Sequence, residues 1–160
     1  MSKKTEKTNV MRVLYTLGIE YGAYEYDNTT TDGALVAAAL GKNPSCVFKT
    51  LVTVGHDRKN YVFVVPVTGS LDLKAAAASV GVKNVEMIPQ KQLFPLTGYV
   101  HGGCSPIGMK KKFVTVIDES AKEKEKIIYS AGKVGRQVET SPSDLAKAAD
   151  AKFAPVAARK

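Results

Sequence analysis

Two apolar runs, CVFKTLVTV at 46–54 and YVFVVPV at 61–67, separated by the polar stretch GHDRKN, constrain the fold more than any other feature. Runs this short, rich in valine and phenylalanine and broken by a glycine-led polar loop, read as the two strands of a β-hairpin. Alternation sends Val47, Lys49, Leu51 and Thr53 to one face and Phe48, Thr50, Val52 and Val54 to the other. Both faces are largely apolar, so the hairpin belongs in the interior. Pro66 either ends the second strand or marks an edge. Lys49 is the anomaly: an ammonium group in such a strand must snorkel to an edge, pair with a carboxylate, or project into a polar cavity.

The flanking sequence supplies short helices and more strands. Residues 5–17 place Val10, Val13, Leu14 and Leu17 at helical spacing, with Thr5 or Thr8 as cap and Gly18 as stop. GAYEYD at 22–27 alternates like a strand, and a helix runs from Asp32 to Leu40, closed by Gly41. SLDLKAAAASVG forms a helix capped at Ser70 or Asp72 and ended by Gly81, VEMI at 85–88 a strand, and PQKQLF a helical turn or two. Between 97 and 112, TGYVHGGCSPIGMKKK holds four glycines and a proline, which makes a shaped loop. Strands follow at 113–118, 127–131 and 137–140. Ser141, Pro142 and Asp144 then open a closing helix with a capping-box pattern. Helices alternate irregularly with hairpin strands, which predicts an α+β domain around a curled, mixed and mainly antiparallel sheet. The 160 residues are expected to form a single domain, with 1–5 and 155–160 frayed.

Composition narrows the partners. No apolar run approaches the roughly 18 residues of a membrane span, and the basic start MSKKTEKTNVMRVLYTLG lacks a continuous apolar stretch and a cleavage site, so a cytoplasmic protein without membrane contact is expected. Cys46 and Cys104 show no metal-ligand spacing with His56 and His101, so neither a disulfide framework nor a metal site is expected. A formal charge of +8 favours an anionic partner.

Within the glycine loop, Gly102 and Gly103 permit close approach of the backbone to a ligand, Pro106 stiffens the exit, and Ser105 adds a hydroxyl. Such a turn is either an anion cradle, suited to a phosphate or the oxyanion of an attacked carbonyl, or a plain structural turn. It is not a P-loop, because Met109 stands where that motif needs lysine. Cys104 near His101 invites a nucleophile reading against that of a packed thiol. Lys110, Lys111 and Lys112 could meet a phosphate backbone or simply be solvated. Tyr21, Tyr24 and Tyr26 could stack on a base or serve as amphipathic packing.

The series VFKTL, VPVTGSLDLK, VEM, LTGYVHGGCSPIGMKKK, IDES, IYSAGKVGRQVE and SPSDLAK, in this order from about Val10 to Phe153, resembles the YbaK/ProX family of aminoacyl-tRNA deacylases. The likeness is greatest to its YbaK type, which acts on Cys-tRNA(Pro) and Cys-tRNA(Cys). The resemblance implies a compact α+β fold shared with editing insertions of prolyl-tRNA synthetases, and hydrolysis of the ester joining a wrong amino acid to the terminal adenosine. It places the family lysine on Lys49 and the glycine loop on Gly102, Gly103, Cys104, Ser105 and Pro106, whose amides would face the scissile carbonyl. It matches the family tyrosine to Tyr24, and the small and acidic positions to Ser130, Gly132 and Asp144. The implied nucleophile is the substrate's own cysteine thiol, released as a thiolactone, with no cofactor. The implied partners are the acceptor end of aminoacyl-tRNA and prolyl-tRNA synthetase. Two positions depart from the pattern: Cys104 is usually aliphatic, and Tyr26 stands where a histidine is familiar. Relatives acting on Ala-tRNA(Pro), and a noncatalytic binder of aminoacyl-tRNA or synthetase, are the competing readings.

Overall fold

The computed structural model describes residues 7–26 and 32–158. Thr8 caps α1 (Asn9–Thr16), its hydroxyl accepting from the Met11 amide at 3.2 Å. Thr5, the other candidate cap, lies outside the described residues. Helical spacing buries Val10 and Leu14 completely, whereas Leu17 falls at the C-cap and is exposed rather than core. After β1 (Gly22–Glu25) comes α2 (Gly33–Leu40), capped by Asp32, whose carboxylate accepts from Ala34 and Leu35. The Asn43 side chain then caps a 3-10 turn over Pro44–Cys46, which delays β2 (Phe48–Gly55) by two residues relative to the apolar run. β3 (Asn60–Pro66) pairs with it antiparallel, setting Lys49 opposite Val65 and Val54 opposite Asn60.

Next come β4 (Ser70–Leu71), α3 (Leu73–Val80) with Asp72 as its cap, β5 (Val85–Met87) and, after a 3-10 turn at Gln90–Gln92, α4 (Leu93–Thr97). No regular element crosses residues 98–113, in keeping with their glycine content. β6 (Val114–Asp118), β7 (Ile127–Lys133) and β8 (Arg136–Thr140) precede α5 (Pro142–Ala149), where the Ser141 hydroxyl accepts from the Asp144 amide at 3.2 Å. β9 (Lys152–Ala154) and β10 (Ala157–Ala158) complete the described chain.

The α+β class and the mixed sheet stand, but hydrogen bonding divides the strands into three sheets. One runs β5-β2-β3-β6-β9, with β3–β6 and β6–β9 parallel; the second is antiparallel β1-β8-β7; the third pairs β4 with β10. A single bridge from Val47 to Ile128 joins the first two. β3 is interior, so Pro66 ends the strand and does not mark an edge. The run YVFVV is continuous because both faces are covered. Val62 and Val64 pack with α1 and Phe48, while Tyr61, Phe63 and Val65 pack with Ala76 and Ala77 of α3.

Of the ends expected to fray, residues 1–5 and 159–160 lie outside the described residues, while residues 156–158 are paired or buried. Val156 is fully buried, and β10 pairs antiparallel with β4, Ala157 opposite Leu71. Asp118 is the anchor: one carboxylate oxygen accepts from the Val156 and Ala157 amides, both at 2.9 Å, and the other from the Ser120 amide at 3.2 Å. Burial pushes this carboxyl up, but the adjacent Ser120 hydroxyl and those three amides outweigh it, leaving the carboxyl below its ordinary value. The folded protein therefore binds its proton more weakly than the unfolded chain. The resulting stabilisation is present above about pH 4 and is lost as pH falls through the folded value. Protection of the Val156 and Ala157 amides, relative to their intrinsic exchange at each pH, is expected to be high at pH 6 and to fall below about pH 4, and in Asp118→Ala to be low at both. Slow exchange in that variant would show that the strand pairing holds the tail unaided.

Candidate functional site

The end of β2 that carries Lys49 opens into a cavity of about 150 Å³. One wall is β2 itself, with Phe48, Lys49, Thr50 and Leu51; another is the start of α2, with Gly33 and Val36. Gly102 and Cys104 line it from the glycine loop, Ser130 and Gln137 from β7 and β8, and Leu93 and His101 stand at its side. Lys49 is the formally charged group among the described lining residues, and none of them is a carboxylate. An ammonium at this wall can interact with an anion or with developing negative charge. No group of three or more His, Cys, Asp or Glu suited to a metal occurs among the described residues.

The sequence-derived candidates divide into two groups. Lys49, Gly102, Cys104 and Ser130 share the cavity. Gly103, Ser105 and Pro106 lie behind its wall, all buried. The Gly103 amide donates to the Val100 carbonyl at 2.9 Å, and a Cβ there would sit 2.9 Å from the Val134 nitrogen. Its lack of a side chain serves packing against the β7–β8 hairpin, and its amide is already engaged by the Val100 carbonyl. Ser105 is fully buried and its hydroxyl accepts from the Ile107 amide at 3.3 Å, a local turn contact. Tyr99 donates to the Ile107 carbonyl at 2.6 Å and Asn9 to the Gly108 carbonyl at 3.1 Å, which ties the loop to α1. Among the described residues, the amides of Gly102 and Cys104 have no protein acceptor, and they are the loop donors next to the chamber.

Tyr24, Gly132, Asp144 and the three lysines are not among the lining residues. Tyr24 donates to Glu139 at 2.8 Å, and Tyr26 lines the cavity in its stead. Gly132, at φ 95°, forms the bulge of β7 and donates its amide to the Ser130 hydroxyl at 3.0 Å, which orients that hydroxyl. Asp144 sits in the first turn of α5, and Lys112 pairs with Asp150 at 2.7 Å. The sequence reading missed Gln137, only 6% exposed yet on the cavity wall, and Thr50, whose buried hydroxyl has no partner. Thr50 follows Lys49 directly, but the polarity of Gln137 at a buried position shows only once β8 is placed.

Cys104 is a poor nucleophile here. Burial pushes its thiol up to about 12, only partly opposed by the Thr97 hydroxyl. At pH 7 about one molecule in 10⁵ carries the thiolate. Cys104→Ser is expected to keep esterase activity within about threefold, measured as initial rates on an aminoacyl-tRNA substrate. A hundredfold loss would restore the protein thiol as the attacking group.

The profile of the aminoacyl-tRNA editing domain matches residues 28–148, three quarters of the chain and every wall of the cavity except Tyr26. The chain belongs to the aminoacyl-tRNA editing domain family. A member from Enterococcus faecalis, named "Putative Cys-tRNA(Pro)/Cys-tRNA(Cys) deacylase EbsC", is 42% identical over 163 residues, covering 99% of this chain and 98% of its own. Among solved structures, a hypothetical protein at 25% identity superposes with a TM-score of 0.86 over 94% of this chain and 99% of its own. A "putative trans-editing enzyme for prolyl tRNA synthetase" at 24% identity gives 0.85 over 98% and 99%, which shows a shared fold. No helix among the described residues of this editing domain is long and apolar enough to cross a membrane.

Proposed function

We propose that this editing domain cleaves the ester of mischarged Cys-tRNA(Pro) in trans, as a cytoplasmic enzyme working beside prolyl-tRNA synthetase. The observation that carries the reading is the convergence of Lys49 with Gly102 and Cys104 on a chamber of about 150 Å³. A cavity of about that volume accommodates a guest the size of benzene, so it suits a small aminoacyl group and leaves the adenosine outside. Prolyl-tRNA synthetase needs such a second check because a pocket separates near isosteres such as proline and cysteine only weakly.

The described lining holds no serine–histidine–carboxylate set. The chemistry therefore falls to the substrate. The cysteine sulfur attacks its own ester carbonyl, a carbon–sulfur bond forms, and the bond from the carbonyl carbon to the ribose oxygen breaks. The thiol proton ends on that ribose oxygen, giving thiolactone and uncharged tRNA. An intramolecular attack needs orientation more than activation. Lys49 and the Gly102 and Cys104 amides stabilise the oxyanion, and the carboxamide of Gln137 and hydroxyl of Thr50 hold the substrate's polar atoms.

The deciding experiment compares cysteinyl, seryl and alanyl esters of the same tRNA(Pro). The cysteinyl ester is expected to be cleaved at least a hundredfold faster, with a rate that rises with pH toward the thiol range near about 8.5. Equal turnover of the seryl ester would overturn thiol assistance, and faster turnover of the alanyl ester would reassign the cargo.

A further inference from the structure

If the aminoacyl group fills the chamber, the nucleotides behind it must lie on the rim, and the rim carries a feature that neither packing nor the ester chemistry uses. Phe94 follows the cavity-lining Leu93 in α4 and is 57% exposed. Lys110 is pinned beside it: its amine stands 6.0 Å from the ring centroid and donates to the Pro95 carbonyl at 3.3 Å, while its amide donates to the Thr97 carbonyl at 2.9 Å. Two of that amine's three donors stay available to a further acceptor. Val100, 51% exposed, and His101 continue the same lip toward the chamber. From Met87 to Ile117 the sequence has no Asp or Glu, but it has Lys91, Lys110, Lys111 and Lys112. Lys112 is paired with Asp150, so Lys110 is the amine held beside the ring; an apolar ring flanked by a lysine, next to a cavity, matches a single strand of nucleic acid, with a base stacked on the ring and a phosphate at the amine.

We propose that Phe94 is the platform for a base of the substrate's unpaired 3′ end, with Lys110 beside it taking a backbone phosphate. The assignment rests on the deacylase reading only for the identity of the RNA. The protein contains no tryptophan, so Phe94→Trp introduces a single indole reporter at the rim. Its fluorescence is expected to be quenched saturably by the trinucleotide CpCpA, and not by an abasic trinucleotide of equal charge. In parallel, Phe94→Ala is expected to raise KM for aminoacyl-tRNA at least tenfold, about 1.4 kcal/mol, with kcat within about threefold, and Phe94→Tyr to restore it. Equal quenching by both trinucleotides, or none by CpCpA, overturns stacking. So does an emission shift that follows protein concentration alone, because a second copy would then cover the ring. A fall in kcat at constant KM overturns it as well. Base-dependent quenching in a protein that deacylates nothing keeps the platform and rejects the deacylase reading; brisk deacylation without quenching does the reverse.

Discussion

Lys49→Ala is expected to lower kcat/KM for Cys-tRNA(Pro) by about 10²–10³, the scale of losing one preorganised oxyanion donor. The effect comes from the position of the ammonium group. Lys49 follows the buried Phe48 in β2, stands opposite the buried Val65, and lines the chamber. A cation held there acts on developing charge without solvent reorganisation. Lys49→Met separates charge from bulk: it keeps the length and apolar stem and is expected to lose as much activity as alanine does. Either variant with activity within threefold of wild type would sink the role given to the lysine.

The second large effect is expected at Gly103. An added Cβ would meet backbone atoms, 2.9 Å from the Val134 nitrogen and 3.1 Å from the Lys133 carbonyl carbon, and no side-chain rotation relieves that contact. Either the glycine loop or the β7–β8 hairpin must move. Overpacking of this kind costs about 1–3 kcal/mol, so Gly103→Ala is expected to lower the melting temperature by about 4–10 °C. The loop also carries Gly102 and Cys104, so activity is expected to fall more than tenfold even at temperatures where the variant is fully folded. Unchanged melting together with unchanged rates would mean that the loop and hairpin adjust freely, and the view of the loop as a rigid cradle would fail.

The elements governed by neighbours in sequence were readable in advance. The hairpin and its misplaced lysine, the caps at Thr8, Asp72 and Ser141, and the irregular glycine loop all express local alternation, capping or backbone freedom. What stayed hidden depends on partners distant along the chain. The tail looked loose because its anchor, Asp118, lies 38 residues before Val156. Ser105 and Gly103 looked like binding groups because glycine and serine mark structural turns and anion cradles alike; only the contacts with Ile107 and Val100 separate the two. Tyr24 and Tyr26 are two residues apart with the same parity, so the strand pattern could not say which would face a ligand. Hydrogen bonding to Glu139 decides for Tyr24, and the cavity takes Tyr26.

The chamber also has a history in time. Its walls come from residue 26 at one extreme and residue 137 at the other, and the parallel pairing of β3 with β6 spans some fifty positions. Contacts of such long range form late. A nascent chain still threading through the ribosome therefore owns the lysine long before it owns a pocket around it.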